Sequence, residues 1–224
     1  MASLHSPRME ITWLGHSCFR LRGRDVAIVL DPPDKSTGYA LPKLAADVVL
    51  VSHDHPGHNN HAAVAGAQRV LTGPGEYEIK GVSIIGVQTA HDGEKGRRRG
   101  GNVAWLAQIE EVNVCHLGDL GAPLTSEQAE ALGSVDVLLV PVGGHNTLGA
   151  AQAAEVVTLL EPKIVVPMHY QTETRKGDTP LDAVDVFLRE QGALDAQPQA
   201  KLTVTRASLP DETTVVVLDY RKAS

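Results

Sequence analysis

The sequence VSHDHPGH at residues 51–58 places three histidines within six positions, directly after the apolar run 46–51. A short apolar run flanked by turn-forming residues is typical of a buried strand. Because side chains on a strand alternate between its faces, His53 and His55 are predicted to point the same way. Pro56 and Gly57 then turn the chain and can return His58 toward the same point. Three converging imidazoles suit zinc, iron or manganese, and the alternative is a histidine-rich surface loop.

Length and composition favour one acidic domain with an aliphatic core. The chain has 224 residues, of which 42% are hydrophobic and only 4% aromatic, so Val, Leu, Ile and Ala must build the core. We predict a single domain over residues 1–224, with frayed ends at 1–8 and 221–224. The formal net charge of −7 argues against a broad nucleic-acid or anionic-membrane surface, since both need a cationic face.

The sequence predicts a cytoplasmic location. It contains no run of about eighteen apolar residues that would cross a bilayer, and residues 1–10 lack the apolar segment of a secretion signal. Cys18 and Cys115 lie among apolar residues without a CxxC context, which indicates two reduced core thiols.

Short apolar runs separated by turn residues predict a strand-rich first half and alternating strand and helix in the second. Strands are predicted at 10–14, 18–21, 25–30, 47–51, 69–72, 82–88, 102–110, 112–117, 135–140, 163–167, 201–205 and 213–218. Helices are predicted at 126–132, 148–160 and 180–191, the last with Thr179 as its cap and Gly192 just past its end. This combination indicates a layered α/β protein in which helices cover packed sheets.

Candidate ligands follow the predicted strands one after another. Because ligand sites of open α/β sheets lie at the carboxyl ends of strands, these side chains are predicted to meet at one rim. They are His16, Asp31, His53, His55, His58, His91, Asp119, His145 and His169.

The order of these residues resembles a known family. His53-x-His55-x-x-His58, then His91, Gly118-Asp119 and His169 resemble the metal motifs of the metallo-β-lactamase-fold hydrolases along the whole chain. The segments WLGHSCF (13–19), GPGEY (73–77), PVGG (141–144) and PMHY (167–170) are similar to its small bacterial metal-dependent hydrolase branch, which is similar to the ascorbate-6-phosphate lactonases. The resemblance implies a four-layer αββα sandwich, with two mixed sheets face to face and helices outside. It does not select a substrate.

The resemblance also implies roles for individual residues. A first metal ion would bind one group of histidines, a second ion would bind another, and one carboxylate would bridge the two. Asp119, His16 and Asp31 are the candidate catalytic residues, the last two as substrate contacts or as partners of the ligands. The implied ligands are His53, His55 and His91 for the first metal, His58 and His169 for the second, and Asp119 as the bridge.

One position departs from the family pattern HxHxDH. Gly57 stands where the pattern has an aspartate that binds the second metal and helps to orient water. Asp54 does not replace it, because strand alternation points Asp54 away from His53 and His55. We therefore expect one tight metal, zinc or manganese, and a weakened second site, which Gly57→Asp would tighten.

Several residues have two interpretations. His91 alone is consistent with a core histidine and Asp119 with a turn aspartate, and the family pattern favours a ligand for both. His116 is predicted to be structural, because alternation places it inside a strand. His145 either contacts substrate or metal or is a plain loop histidine. The basic segment 97–99 (Arg97, Arg98, Arg99) either overhangs the pocket, where it would bind an anionic substrate, or forms a solvated loop.

These features favour a metal-dependent hydrolase that uses a metal-bound hydroxide on a small ester, lactone or phosphoester. One alternative is a nuclease of the same fold, which the negative charge disfavours. The other is a non-catalytic metal-binding protein whose second site has decayed at Gly57. The expected partner is a small, anionic or neutral substrate, with no nucleic acid or membrane, and the chain has the option of forming a homo-oligomer.

Overall fold

Two mixed β-sheets form the fold, and a computed structural model describes them over residues 7–92, 94, 96–97, 100–177 and 179–222. The strands in these ranges are β1 (Met9–Gly15), β2 (Cys18–Arg22), β3 (Ala27–Leu30), β4 (Leu44–Ala45), β5 (Val48–Leu50), β6 (Val64–Ala65), β7 (Arg69–Leu71), β8 (Gly75–Ile79), β9 (Val82–Ala90), β10 (Gly101–Ile109), β11 (Val112–His116), β12 (Val137–Pro141), β13 (Ile164–Met168), β14 (Leu202–Val204) and β15 (Thr214–Val215). The α-helices are α1 (Ser126–Leu132), α2 (Ala150–Leu160) and α3 (Val184–Glu190).

The topology directs the ends of the ligand-bearing strands to one edge of each sheet. The six-stranded sheet has the order β14-β1-β2-β3-β5-β7, and the seven-stranded sheet has the order β15-β13-β12-β11-β10-β9-β8. In the first sheet β3 is parallel to β5, and the antiparallel steps β1–β2 and β2–β3 leave β1 parallel to both. In the second sheet β11, β12 and β13 are parallel, and two antiparallel steps through β10 align β9 with them. The loops that follow β1, β3 and β5 therefore share an edge, as do those that follow β9, β11 and β13.

One continuous apolar core joins the two sheets. Trp13 and Phe19 of the first sheet and Trp105 of the second belong to a single buried cluster, together with many Val, Leu and Ile side chains. Each large aliphatic or aromatic side chain that is fully buried contributes about 1.5–3 kcal/mol. The sheets thus pack face to face, as the sequence predicts. Cys18 and Cys115 are buried and unbonded to each other, and burial raises the pKa of both thiols.

The outer faces of the sandwich differ from each other. On the seven-stranded sheet, α1 packs against β9, and α2 packs against β12 and α3. On the six-stranded sheet, a second apolar cluster that includes Val29 and Val49 is covered by Leu44 and Val64 of the short β4–β6 ribbon. The segment that forms this cover contains prolines at 32, 33, 42 and 56, and proline interrupts helices.

Most predicted elements are present, but the strands β4, β6 and β8 are absent from the predicted set, and one helix begins later than predicted. In β8, Tyr77 and Ile79 alternate with glutamates, which is a strand signal that the prediction overlooks. Helix α3 begins at Val184 instead of residue 180 and has Ala183 as its N-cap instead of Thr179. The preceding backbone is engaged elsewhere, because the Asp182 amide donates to the Gly143 carbonyl over 2.8 Å.

The two chain ends are only partly described by the structure. Residues 1–6, 223 and 224, which fall in the predicted frayed ends, lie outside the described residues. Residues Tyr220–Lys222 form a 3₁₀ turn, and the Arg221 guanidinium contacts Glu173 at 2.7 Å, so the predicted frayed end does not begin at 221. Within the described ranges, no helix is long and apolar enough to cross a membrane.

Candidate metal centre

Strained backbone at three strand ends turns polar side chains toward the shared edge. His16, Asp31 and His169 directly follow β1, β3 and β13, and their φ angles are 53°, 43° and 51°. This left-handed region is sparsely populated by residues other than glycine, and Asn, Asp and His are enriched among those that adopt it. Such strain costs about 1–3 kcal/mol per residue and clusters at functional sites.

A tight turn, and not an extended strand, brings the three neighbouring histidines together. Strand β5 ends at Leu50, and the His58 amide donates to the His55 carbonyl over 2.8 Å. The His53 ring stacks on His55 at 5.8 Å between centroids and lies 4.3 Å from His58. The predicted convergence of these rings is present, but strand alternation is the wrong reason for it.

Asp119 is held in position by an asparagine that the sequence analysis missed. The Asp119 amide donates to Asn102 Oδ1 over 2.9 Å, while Asn102 Nδ2 donates to the Leu117 carbonyl over 2.9 Å. Gly118 lies between them at φ 59°, and a Cβ there would be only 2.4 Å from Asn102 Oδ1. Buried Asn102 therefore fixes the loop after β11, and only glycine fits at residue 118.

The Asp119 carboxylate lies at the centre of four imidazoles. Its Oδ2 atom is 3.2 Å from His58 Nε2, 3.5 Å from His91 Nε2 and 4.0 Å from His53 Nε2. Its Oδ1 atom is 3.4 Å from His169 Nε2. One carboxylate oxygen thus faces His58, His91 and His53, and the other faces His169, so both oxygens of Asp119 are directed at imidazoles.

Asp31 orients His58 and His53 through hydrogen bonds that involve their Nδ1 atoms. Its Oδ2 atom accepts a hydrogen bond from His58 Nδ1 over 2.8 Å and another from the Ser52 hydroxyl over 2.6 Å. Ser52 Oγ lies 2.9 Å from His53 Nδ1, so the hydroxyl that donates to Asp31 accepts from His53. Protons on both Nδ1 atoms leave both Nε2 atoms free to bind a metal. Asp31 is fully buried, so it acts through His58 and His53.

The electrostatics of the cluster favour an ionised carboxylate among mostly neutral imidazoles. Burial opposes ionisation of Asp119, but His169 and His58 outweigh it and hold the pKa of this carboxyl well below its usual range. Burial lowers the pKa of His53 to about 3 and that of His169 to about 4. His58 differs, because Asp119 and Asp31 overcome the effect of burial and raise its pKa to about 10. A metal ion that binds His58 must therefore displace a proton.

The donor set fits divalent metal ions. Among the described residues, three groups bring their donor atoms within 4.8 Å of one another: His53, His91 and Asp119; His53, His55 and His58; and His16, His58 and His169. The buried Nε2 atom of His53 has no hydrogen-bond partner in the described part of the chain, and that of His58 faces the Asp119 carboxylate at 3.2 Å. Buried polar atoms without a partner are costly, and a cation facing them removes that cost.

Only some of the residues predicted to bind the first metal lie in one group of donor atoms. His91 groups with His53 and Asp119, whereas His55 groups with His53 and His58 and is exposed. The His55 Nδ1 atom accepts the Gly57 amide over 3.2 Å. The predicted second-metal histidines, His58 and His169, lie together.

The cluster lines a cavity of about 480 Å³ whose wall includes residues that the sequence analysis missed. Arg175 and Lys176 are the cations among its described lining residues, and Asn146 contributes a neutral side chain. The sequence offered only a weak signal for them, since Arg175 and Lys176 stand beside each other six and seven residues after His169. Within the predicted basic segment, Arg97 is exposed and is not among the described residues that line the cavity, and Arg98 and Arg99 lie outside the described residues.

Other singled-out residues do not belong to the three groups of donor atoms. Both ring nitrogens of His116 are hydrogen-bonded: its Nε2 donates to the Ser17 carbonyl over 2.8 Å, and its Nδ1 accepts from the Gly118 amide. This agrees with its predicted structural role. His145 is exposed, which matches the loop-histidine interpretation. Asp54 borders the cavity, but its Oδ1 atom accepts from Asn59 over 2.7 Å.

Two face-to-face mixed sheets with imidazoles around a central carboxylate at their shared edge are features of the metal-dependent hydrolases of the metallo-β-lactamase type. The model of the β-lactamase superfamily domain matches residues 10–169. A UPF0173 metal-dependent hydrolase of Pyrococcus horikoshii is 32% identical, with 73% of this chain and 85% of the relative covered. A similar protein of Thermococcus onnurineus is 31% identical.

Solved structures give the same result. A candidate Zn-dependent hydrolase of the metallo-β-lactamase superfamily from Thermotoga maritima is 41% identical, has a TM-score of 0.76, and covers 94% of this chain and 98% of its own. Igni18, a metallo hydrolase from Ignicoccus hospitalis, shares the fold at 21% identity and a TM-score of 0.62, with 88% of this chain and 98% of its own covered. The chain thus belongs to the β-lactamase superfamily, among the UPF0173 metal-dependent hydrolases.

Proposed function

We propose that this hydrolase acts on a small anionic ester, lactone or phosphoester. The observation that carries the proposal is the cavity wall, where Arg175 and Lys176 line the same cavity as the histidine cluster. A cavity of about 480 Å³ suits a small molecule. When bound, a divalent cation would lower the pKa of water and polarise a carbonyl or phosphoryl oxygen.

The half-buried Arg175 side chain is positioned for anion binding. Its Nη1 atom donates to the Thr179 carbonyl over 2.9 Å, and its amide donates to Thr172 Oγ1 over 3.2 Å, so both ends of the residue are anchored. An anchored guanidinium loses less conformational freedom when it binds, and its fork matches carboxylate and phosphate. The proposed role of Arg175 is to orient the anionic group while Asp119 and the histidines hold the metal.

The donor set supports zinc as the resident ion, with manganese as the alternative. Imidazoles outnumber carboxylates in the cluster, and imidazole suits zinc whereas carboxylate suits manganese. The Thermotoga maritima relative bears a zinc-dependent description. The buried free thiols Cys18 and Cys115 support our proposal that the protein works in the reducing cytoplasm.

Replacement of Arg175 by alanine tests the substrate class. We expect KM for an anionic phosphodiester or carboxylate-bearing lactone to rise about 10–100-fold, since hydrogen bonds to charged groups contribute about 1.5–3 kcal/mol. A neutral ester of the same size should keep its KM, because it presents no charge to Arg175. Steady-state kinetics on the matched pair of substrates measure both effects.

The matched control is Arg97→Ala, which removes an exposed arginine that is not among the cavity-lining residues. It should leave both substrates unaffected. Equal losses on the anionic and neutral substrates in Arg175→Ala, or the same selective loss in Arg97→Ala, would contradict the proposed role.

A further inference from the structure

A third histidine joins the two that the sequence assigns to the second metal. The donor atoms of His16, His58 and His169 lie within 4.8 Å of one another. The His16 ring centroid is 4.2 Å from that of His169 and 4.9 Å from that of His58. All three side chains are buried, and His58 and His169 each approach one oxygen of Asp119, Oδ2 at 3.2 Å and Oδ1 at 3.4 Å.

Gly57 provides the space that His16 occupies. A Cβ at residue 57 would lie 3.0 Å from His16 Nε2 and 3.3 Å from its Cδ2 atom, so the ring fills the place of a residue-57 side chain. Gly57 is not among the glycines with positive φ. The room it leaves, and not its backbone freedom, is therefore what this position requires.

The backbone holds His16 firmly in this place. Its carbonyl accepts the Trp13 indole N–H over 2.9 Å and the His169 amide over 3.1 Å, which ties the two strand ends together. Its φ of 53° turns the side chain sharply into the cluster. His16 Nδ1 is buried without a hydrogen-bond partner among the described residues, as are the Nδ1 atoms of His91 and His169.

We propose that His16 is a direct ligand of the second metal, in the place of the carboxylate that the sequence leads one to expect at residue 57. This deepens the metal centre on which the proposed function rests. His16, His58, His169 and Asp119 then supply four protein donors, the number found in tetrahedral zinc sites. The second site is complete, and the weakening expected from Gly57 does not occur.

The exchange also changes the charge of the site. A neutral imidazole replaces an anionic carboxylate, so a centre with two divalent ions carries one more positive charge than it would with an aspartate at residue 57. A more positive centre favours anionic substrates, in the same sense as Arg175.

Metal stoichiometry and spectroscopy of variants test the proposal without reference to activity. The wild-type protein is expected to bind two Zn²⁺ or two Co²⁺ ions per chain, counted by native mass spectrometry and by titration. His16→Ala is expected to bind one ion tightly and to lose the d–d bands of the second Co²⁺ ion. His16→Gln, which keeps more volume and removes the imidazole, should behave in the same way if His16→Ala fails to fold.

A compensating double variant gives the sharpest result. In His16→Ala/Gly57→Asp the new carboxylate enters the space that the ring has left, and the second ion should return with altered d–d bands. Gly57→Asp alone brings the carboxylate against His16 and should not tighten the site. His145→Ala, the matched control, removes an exposed histidine and should keep two ions.

Two results would overturn the inference. One is a folded His16→Ala or His16→Gln protein that binds the second ion with wild-type affinity. The other is a double variant that still binds one ion. Both are distinct from failure of the proposed function, since a protein that ignores anionic substrates would still show the predicted ion counts.

Discussion

Asp119→Asn is expected to abolish tight metal binding and hydrolysis together. The Asp119 carboxylate faces four imidazoles at 3.2–4.0 Å, and asparagine removes the negative charge and one acceptor oxygen. The effect should exceed the about 10–100-fold loss that changes to outer partners of metal ligands produce. Metal content after dialysis, measured by elemental mass spectrometry, and kcat/KM on the best substrate quantify it.

Asp136→Asn is the matched control. Asp136 is also a buried aspartate, but it accepts from the Asn113 amide and pairs with Arg206, and it is not a cavity-lining residue. Its replacement should lower stability while metal content and activity per folded molecule stay at the wild-type level. Full metal content in folded Asp119→Asn would refute the bridging role.

Asp31→Asn is expected to weaken metal binding about 10–100-fold although Asp31 is not a ligand. Both Asp31 oxygens accept hydrogen bonds, Oδ1 from the Ser52 amide and Oδ2 from the Ser52 hydroxyl and His58. Asparagine has one acceptor oxygen and an NH2 donor instead, so it cannot satisfy all three donors and no longer fixes the tautomers of His58 and His53. Competition against a chromophoric chelator at fixed pH measures the affinity. Ser52→Ala removes the hydroxyl that links Asp31 to His53 but leaves the bond between Asp31 and His58, and it should give a smaller loss.

The relative size of the two losses in metal affinity tests whether Asp31 and Ser52 orient the histidines. Asp31→Asn with unchanged metal affinity would show that the hydrogen bonds to His58 and Ser52 are incidental. A larger loss in Ser52→Ala than in Asp31→Asn would place the control of tautomers elsewhere.

The sequence predicted the gathering of ligands well, because strand ends obey simple geometry. Parallel strands place their carboxyl ends at one edge, so His91, Asp119 and His169 meet even though they are far apart along the chain. The buried runs around them are aliphatic and short, which identifies strands without knowledge of their neighbours.

Other features depend on spatial neighbours that a linear pattern does not reveal. His16 and Gly57 are 41 positions apart, and only the fold shows that one fills the space left by the other. Arg175 lies at the cavity because Thr172 and Thr179 anchor its loop, whereas the more conspicuous Arg97 is exposed. Local patterns therefore locate ligands at strand ends, but loops that fold back over the site require coordinates.

Anomalous X-ray diffraction at the zinc and manganese absorption edges tests the central claim most directly, on crystals of protein purified without added metal. The account predicts metal peaks at bonding distance, about 2.0–2.2 Å, from His53, His91 and Asp119, with a second peak bound by His16, His58 and His169. Peaks that lie only elsewhere on the molecule, with these imidazoles bound to no ion, would contradict it.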